Sequence, residues 1–249
     1  MKKFSTFFIL TVFLASLGTL ATASSALVSI KTKLKTKTIT LQNQSIAPFT
    51  GINVGGPFNV TVRFGQKEEI RMEGDKEVIS RTETRVENGT LKISFRDRRN
   101  WNWGSDGASR VRIFITVKNL KNLSVSGSGK TTVEGNVRGD SFSAVVSGSG
   151  ALTAGVTVKA FTAVISGSGT IATSGAAADS EISISGSGSF RGKDFKSGSA
   201  EDRVSGSGNA SIHVESHLEA ILSGSGNIRY SGDPHVDVTK SGSGSVSKS

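Results

Sequence analysis

The chain has 249 residues, of which 35% are hydrophobic and 30 are glycine, and its formal net charge is +10 at pH 7. It contains no cysteine, which excludes disulfide bonds and a lipid-modified N-terminal Cys. This length and composition suit one extended β domain with a thin core of small aliphatic side chains, rather than a thick globular core.

The first 23 residues have the three-part layout of a secretory signal peptide. Lys2 and Lys3 precede an apolar run from Phe4 to Leu17, and a small-residue Ala-Thr-Ala site ends at Ala23. A membrane anchor is the weaker alternative, because it needs about 20 apolar residues. We therefore predict cleavage after Ala23 and an exported product. It would lie in the periplasm, at the outer-membrane surface or outside the cell, with no membrane span in the mature chain.

Residues 24–48 form a basic lead-in segment, in which every second residue from Lys31 to Lys37 is lysine. Such a segment is usually extended and solvated, and the alternative is a strip that binds an anionic polymer. Residues 24–122 carry 18 Lys and Arg against nine Asp and Glu, whereas the chain from Leu123 onward carries 10 basic and 11 acidic residues. The basic part favours acidic partners such as anionic polysaccharide, phosphate-bearing lipid head groups or, without specificity, nucleic acid.

Residues 49–122 are predicted to form a β-rich head. Four stretches are strand candidates: FNVTVRFG, EIRMEG, RTETRVENGTLKISF and RVRIFITV. The third contains Asn88-Gly89 between alternating segments, which is the strongest short-range signal for a β-hairpin. These strands either continue the β architecture that follows or cap its first rung, and a cap would protect an open strand edge from other chains.

The segment RDRRNWNWGSDG, which begins at Arg96, combines arginines and tryptophans in a predicted loop. Arginine can donate two hydrogen bonds to a carboxylate or phosphate, and an exposed Trp can stack on a sugar ring. We predict a ligand-binding loop that uses Arg98, Arg99, Trp101 and Trp103. The alternative is a hairpin tip whose Trp rings fold back onto the head.

From residue 123 onward, the tetrapeptide Ser-Gly-Ser-Gly (SGSG) occurs seven times at intervals of 18 to 21 residues. A period in this range is typical of solenoid proteins, whereas a flexible linker or low-complexity tail has no reason to keep it. Glycine suits a turn because it reaches positive φ without a Cβ clash. The copies begin at Ser126, Ser147, Ser166, Ser185, Ser205, Ser223 and Ser241.

The residues before each copy alternate between apolar and polar side chains. Positions one and three residues before the first Ser are mostly apolar, as at Val146 and Ala144, and positions two and four are mostly polar, as at Ser183 and Glu181. Because a period of two is the pattern of a strand with one buried face, each unit should form a strand, a turn and a second strand. We predict an all-β, parallel solenoid of seven rungs, about 4.8 Å apart and roughly 34 Å long in total.

One position of the repeat is acidic in the last four units and is predicted to form an outward carboxylate column. Like charges opposite each other on neighbouring strands are destabilising, so something should offset them. We predict either that the column binds Ca²⁺ or another hard cation, or that basic groups such as Arg203 pair with it. The alternatives are an ordinary solvated acidic face or, without a partner set to support it, catalytic carboxylates. The column consists of Glu181, Glu201, Glu219 and Asp237.

The three histidines do not predict a metal site. His213 and His217 are four residues apart, which would bring them together on a helix, but in a strand they point outward at different places. His235 precedes the final rung with no partner recognisable in the sequence. No cofactor other than the Ca²⁺ of the acidic column is predicted.

The segment GINVGGPFNVTVRFG, from Gly51 to Gly65, together with the ladder of SGSG segments, closely resembles the head GIN domain of auto-transporter adhesins. The resemblance spans Phe49 to the last SGSG copy, so we predict a single domain at 49–249, with the head at 49–122 and the repeats at 123–249. It implies a right-handed parallel β-helix-like fold related in shape to pectin lyases, without catalytic residues, and a role in cell-surface adhesion.

These observations together predict an exported, non-enzymatic β-solenoid of the cell envelope that acts in adhesion or surface interaction. Anionic polysaccharide or another cell-surface molecule is the expected partner, and an oligomer is compatible with the sequence. Two alternatives stay open. One is a polysaccharide-active enzyme on a pectin-lyase-like scaffold, and the other is a self-associating structural protein of the envelope.

Overall fold

The computed structural model describes residues 40–96 and 111–249. The predicted signal peptide, residues 24–39 of the basic lead-in, and all four residues of the predicted ligand-binding loop therefore lie outside the described residues. Nearly all of the described chain is β-structure, arranged as a solenoid of about seven turns with mostly parallel strand pairing. The predicted fold class is confirmed.

The described elements comprise sixteen strands and one helix, α1. In chain order they are β1 (Thr40–Ser45), β2 (Gly51–Gly55), β3 (Asn59–Phe64), β4 (Glu69–Gly74), α1 (Lys76–Arg81), β5 (Thr82–Glu87), β6 (Thr90–Phe95), β7 (Arg112–Val117), β8 (Asn122–Gly127), β9 (Lys130–Gly148), β10 (Ala151–Gly167), β11 (Thr170–Gly186), β12 (Ser189–Gly206), β13 (Asn209–Gly224), β14 (Asn227–Ser231), β15 (His235–Ser241) and β16 (Ser245–Lys248).

Strands β9 to β13 are the repeating rungs of the solenoid. Each runs from one SGSG segment to the next, and neighbouring rungs pair in parallel with equivalent repeat positions opposite each other. Ile165, for example, lies between Val146 and Ile184. Because side chains alternate between the two faces of a strand, this register stacks the aliphatic positions inside the solenoid. The column one residue before SGSG is buried at Val125, Val146, Ile165, Ile184, Val204 and Leu222.

Successive rungs meet at the SGSG segments, where the first glycine has a positive φ of 110° at Gly148 and 112° at Gly167. The Ser168 N–H donates a 2.9 Å hydrogen bond to the Gly148 carbonyl, and the same contact recurs from Ser149 to Gly127. A Cβ added to Gly167 would lie 2.7 Å from the Gly148 carbonyl oxygen. Glycine is therefore required here both for its backbone conformation and for the close approach of one segment to the next.

The core also contains phenylalanine rings, in addition to the small aliphatic side chains that the composition predicts. Phe142, Phe161, Phe190 and Phe195 are all buried. The ring centroid of Phe161 lies 6.1 Å from that of Phe142, 6.2 Å from that of Phe190 and 4.9 Å from that of Phe195. Such aromatic contacts add to the burial of apolar area. Phe142 and Phe161 lie five residues before SGSG, outside the two apolar columns on which the sequence prediction rests.

The head contains the first strands of the solenoid and also adds antiparallel strands to it. Strand β2 pairs in parallel with β6 and β8, and β3 pairs in parallel with β7 and β9, so both strands continue the solenoid. Antiparallel pairing is added by β4 with β1 and β7, and by β5 with β6. The predicted hairpin is confirmed, because β5 and β6 are joined at Asn88 and Gly89, whose φ values are 50° and 69°.

The short helix α1 follows β4 and was not predicted from the sequence. The Asp75 side chain caps its N-terminus by accepting hydrogen bonds from the backbone N–H groups of Glu77 and Val78. Val78 and Ile79 pack into the core. With only six residues, this helix is too short to show a helical period in the sequence.

The last turn of the solenoid consists of β15 and β16, which pair with β13 and β14. Within residues 40–96 and 111–249, no strand pairs with the other edge of either. Val238 of β15 is 51% exposed, although its column is buried in the earlier rungs. Lys240 lies opposite Leu222, in the other aliphatic column, and its ammonium donates a 3.1 Å hydrogen bond to the Gly244 carbonyl. Lys240 thus places a charge on an edge strand, at a repeat position that is buried in the earlier rungs. Such a charge hinders pairing of the edge with another chain.

Candidate functional site

The four residues of the predicted acidic column are in register. Glu181 lies opposite Glu201, Glu201 opposite Glu219, and Glu219 opposite Asp237, on strands β11, β12, β13 and β15. The side chain of Glu201 is half-buried, and the other three residues are exposed. The sequence spacing therefore placed these carboxylates correctly, one above the other along the outer surface.

Arg203 forms an ion pair with Glu201, as proposed from the sequence. The guanidinium supplies a positive charge beside the column and offsets part of the repulsion between neighbouring carboxylates. Among the described residues, no group of three or more His, Asp or Glu side chains is arranged to hold a metal ion. Binding of Ca²⁺ to Glu181, Glu201, Glu219 and Asp237 stays a prediction.

A pair of histidines extends this surface at the C-terminal end of the column. His217 and His235 lie opposite each other, with their rings stacked at a centroid distance of 5.8 Å. The Asp237 carboxylate lies 3.7 Å from His217 Nε2 and 3.5 Å from His235 Nε2. The sequence analysis found no partner for His235 and was wrong, since it did not align the position six residues before SGSG. His213 instead contacts Ser231, at 3.0 Å from Nδ1 to Oγ.

Asp202 occupies a core position in β12, opposite Ile182 on one side and Ala220 on the other. It is fully buried, and neither carboxyl oxygen has a hydrogen-bond partner. Burial disfavours the charged carboxylate and raises the pKa of Asp202 to about 7. Because the side chain is enclosed, it cannot contact a ligand at the surface.

A surface cleft of about 490 Å³ lies across β9, β10, β11 and β12. It coincides with two register irregularities. On β9, three residues lie opposite Ala154 alone, and on β12, two residues lie opposite Thr173 alone. The units that contain β9 and β12 have 21 and 20 residues, whereas those that contain β10 and β11 have 19. The additional residues of the longer units form bulges on either side of the two shorter units, and bulges often occur beside functional sites.

The cleft combines a small-residue floor with a charged wall. Arg191, Lys193 and Asp194 are exposed along β12. The buried Thr173 lies in the floor, and its hydroxyl has no hydrogen-bond partner in the structure. The complete lining is Val133, Gly135, Thr153, Ala154, Gly155, Ala172, Thr173, Ser174, Arg191, Lys193 and Asp194. Sequence analysis missed this site, although the unequal SGSG intervals were a signal that some units bulge.

A second cavity, of about 520 Å³, lies where the head meets the first SGSG segment. Phe95 contributes its ring and also packs against Phe58, at a centroid distance of 4.6 Å. The lining is mainly backbone and small side chains, and carries no charged group among the described residues. The cavity is lined by Gly55, Gly56, Pro57, Phe95, Ser126, Gly127, Ser128 and Ser147.

Much of the basic charge of the head is already paired with acidic side chains. Glu73, for instance, accepts ion pairs from both Arg71 and Arg112, at 3.0 and 3.1 Å. Such pairing reduces the positive field that the sequence count alone implies. Among the described residues, the other ion pairs of head cations are Arg63 with Glu134, Arg81 with Glu77, Arg85 with Glu83 and Glu87, Lys92 with Glu87, and Lys118 with Glu68.

The fold is shared with several solved bacterial proteins. A "putative adhesin" from Bacteroides fragilis is 19% identical, with a TM-score of 0.78 over 85% of this chain and 97% of that one. A "putative adhesin" from Parabacteroides distasonis is 22% identical, with a TM-score of 0.66 over 86% and 98%. A "putative lipid binding protein" from the same species is 21% identical, with a TM-score of 0.65 over 85% and 96%. At these identities the likeness shows the fold alone.

No curated protein sequence matches the chain. In the described ranges, no helix has the length and apolar character needed to cross a membrane. The family profile described as "putative auto-transporter adhesin, head GIN domain" matches residues 48–234, which include the GIN segment and all but the last SGSG copy. The resemblance predicted from the sequence is confirmed. The chain belongs to this head GIN domain family.

Proposed function

We propose that this protein is an exported adhesin of the cell envelope, which binds a surface partner without catalysing a reaction. Membership of an adhesin family and the signal-peptide pattern of the first 23 residues support this proposal. An adhesin must present a stable binding surface outside the cytoplasm. A stacked β-solenoid can be stable there without disulfide bonds, because each rung packs on its neighbours.

The observation that carries the proposal is the register of the outward side chains. Equivalent residues follow one another from rung to rung, as Glu181, Glu201 and Glu219 do. In this column a carboxyl group is therefore presented at a regular interval of about 4.8 Å along the solenoid. A repeating partner such as a polysaccharide can make several weak contacts with such a surface at once, and linked contacts add to the overall affinity.

The position of Asp202 supports a binding role rather than catalysis. A catalytic general acid needs a raised pKa and access to the substrate. Asp202 has the raised pKa, about 7, but it is enclosed in the core. The carboxylates of the acidic column are accessible, but they follow one another in an open row rather than facing each other across a cleft.

Surface exposure on intact cells tests the proposal. Protease added to intact cells should remove the protein, and the purified mature chain should coat and bind cells or surface polymer. An intact protein after protease treatment, with degradation only after the envelope is opened, would contradict the adhesin role.

The two alternatives have separate tests. Incubation with acidic polysaccharides would produce new reducing or unsaturated ends if the protein were an enzyme. Light scattering over a range of concentrations would show increasing particle size if it were a self-associating structural component. We expect neither change.

A further inference from the structure

We propose that the cleft across β9 to β12 binds an acidic saccharide, with the carboxylate of a uronic acid residue held by Arg191 and Lys193. This inference rests on the proposed binding function, and it assigns a ligand class to one defined place on the solenoid. It differs from the predicted ligand-binding loop, which lies outside the described residues.

The charges of the cleft favour an anion. Arg191 and Lys193 are both exposed on the β12 wall, and within the described ranges neither forms an ion pair. This contrasts with the head, where arginines such as Arg63 and Arg71 are paired with glutamates. An unpaired guanidinium can donate two parallel hydrogen bonds to a carboxylate, and the neighbouring ammonium adds a second positive charge.

The other lining groups favour a sugar over a simple anion. Asp194 lies beside the two cations and can accept hydrogen bonds from sugar hydroxyls. On the floor, Thr153 and Ser174 are exposed and offer hydroxyl groups that donate and accept. Ala172, which is partly exposed, supplies apolar surface for the C–H face of a sugar ring. Asp194 repels a simple anion such as phosphate, whereas a uronic acid can place its hydroxyl groups against Asp194 and its carboxylate against the two cations.

The size and shape of the cleft suit part of a polymer chain. Its volume, about 490 Å³, lies within the range of roughly 300–1,000 Å³ that is usual for ligand sites. It crosses four neighbouring strands on the outside of the solenoid, so a saccharide unit can enter while the rest of the polymer continues along the surface. Thr173 in the floor keeps a buried hydroxyl without a partner, a rare feature that needs an explanation such as an ordered water or ligand.

Calorimetric titration of the mature chain with trigalacturonate tests the assignment. We expect binding that the double substitution Arg191→Gln and Lys193→Gln weakens at least tenfold. Ser174→Trp, which keeps the charge but fills the cleft, should also abolish binding. The matched control is Arg138→Gln with Arg229→Gln, which removes two exposed positive charges elsewhere on the solenoid and should change the affinity less than twofold. Thermal melting confirms that each variant is folded.

Three outcomes would overturn the assignment. These are no binding of trigalacturonate by the unaltered protein, equal weakening by the control pair, or stronger binding to phosphatidylglycerol vesicles that depends on Arg191 and Lys193. The titration uses purified protein, so it is independent of the test on intact cells. If the protein is sealed inside the envelope but binds trigalacturonate, the adhesin proposal fails and the saccharide site stands. If the protein is exposed on the cell surface but the titration shows no heat, the saccharide site fails and the adhesin proposal stands.

Discussion

Asp202 lies directly opposite Ile182 in the core of the solenoid, so a carboxyl group occupies a position at which the neighbouring rung buries an aliphatic side chain. Neither of its oxygens has a partner. A buried carboxyl without a partner is stable only when it is protonated, because ionisation would leave an uncompensated charge in the core.

The first prediction is that the stability of the protein falls as the pH rises from about 4 to about 7. In the unfolded chain Asp202 loses its proton near pH 3.8, whereas in the folded chain its pKa is about 7. The folded state therefore binds more protons over this interval, and the stabilising contribution of the protonated group is lost by pH 7. At pH 8, Asp202→Val should raise the free energy of unfolding by roughly 2–4 kcal/mol, by removing the ionisation penalty.

Urea unfolding at pH 5 and pH 8 measures this effect. The Asp202→Val variant should gain more at pH 8 than at pH 5, while Asp179→Asn, a change at an exposed acid, should leave both values almost unaltered. If the free energy of unfolding of Asp202→Val depends on pH in the same way as that of the unaltered chain, ionisation of Asp202 does not destabilise the folded state.

The second prediction concerns the glycines of the SGSG segments. Gly167→Ala places a Cβ about 2.7 Å from the Gly148 carbonyl oxygen and forces alanine to adopt a φ of 112°. We expect a loss of about 1–3 kcal/mol in the free energy of unfolding. Ser168→Ala in the same segment removes only an exposed hydroxyl and should cost less than about 0.5 kcal/mol. Equal melting temperatures for the two variants would contradict the close stacking of the segments.

The third prediction concerns the open edge of the last turn. Lys240→Leu would restore the aliphatic column next to Val238, which is 51% exposed, and remove the charge that opposes pairing with another chain. Sedimentation velocity should show concentration-dependent association of this variant. The control variant Lys196→Leu, which changes an exposed lysine within β12, should sediment like the unaltered protein. If Lys240→Leu sediments like the unaltered chain at every concentration, Lys240 does not protect the edge.

The fourth prediction tests cation binding by the acidic column. If the column binds Ca²⁺, calorimetry at millimolar Ca²⁺ should show heat that Glu201→Ala and Glu219→Ala each remove. The register makes these two the appropriate variants, because each lies between two other carboxylates of the column. Absence of heat from the unaltered protein would leave the column as a solvated acidic surface.

The sequence predicted the stacking because SGSG marks the same point in every unit. Residues at equal distances from it, such as Glu201 and Glu219, lie opposite each other in the structure. The contact between His217 and His235 follows from the same rule and could have been found by applying it to one more position. The register between neighbouring rungs can thus be predicted from the sequence wherever the strands have no bulges.

The cleft could not be placed from the sequence by the same rule. An interval of 20 or 21 residues shows that a unit has extra residues, but it does not show where along the unit they bulge. The position of Lys193 depends on that choice because it lies in the bulge, whereas Arg191 precedes the bulge and keeps the regular register with Ala172. Helix α1 and the aromatic contacts around Phe161 also depend on packing rather than on the repeat.

Disulfide formation between adjacent rungs tests the central claim most directly, since the natural chain has no cysteine. Val164 of β10 lies opposite Ser183 of β11, so their Cα atoms should be about 4.8 Å apart, within disulfide range. Oxidation of Val164→Cys with Ser183→Cys should give an intramolecular crosslink. Val164→Cys with Ser185→Cys, a pair separated by about 8 Å, should not. Equal crosslinking of both pairs, or of the second pair alone, would contradict the parallel, in-register solenoid.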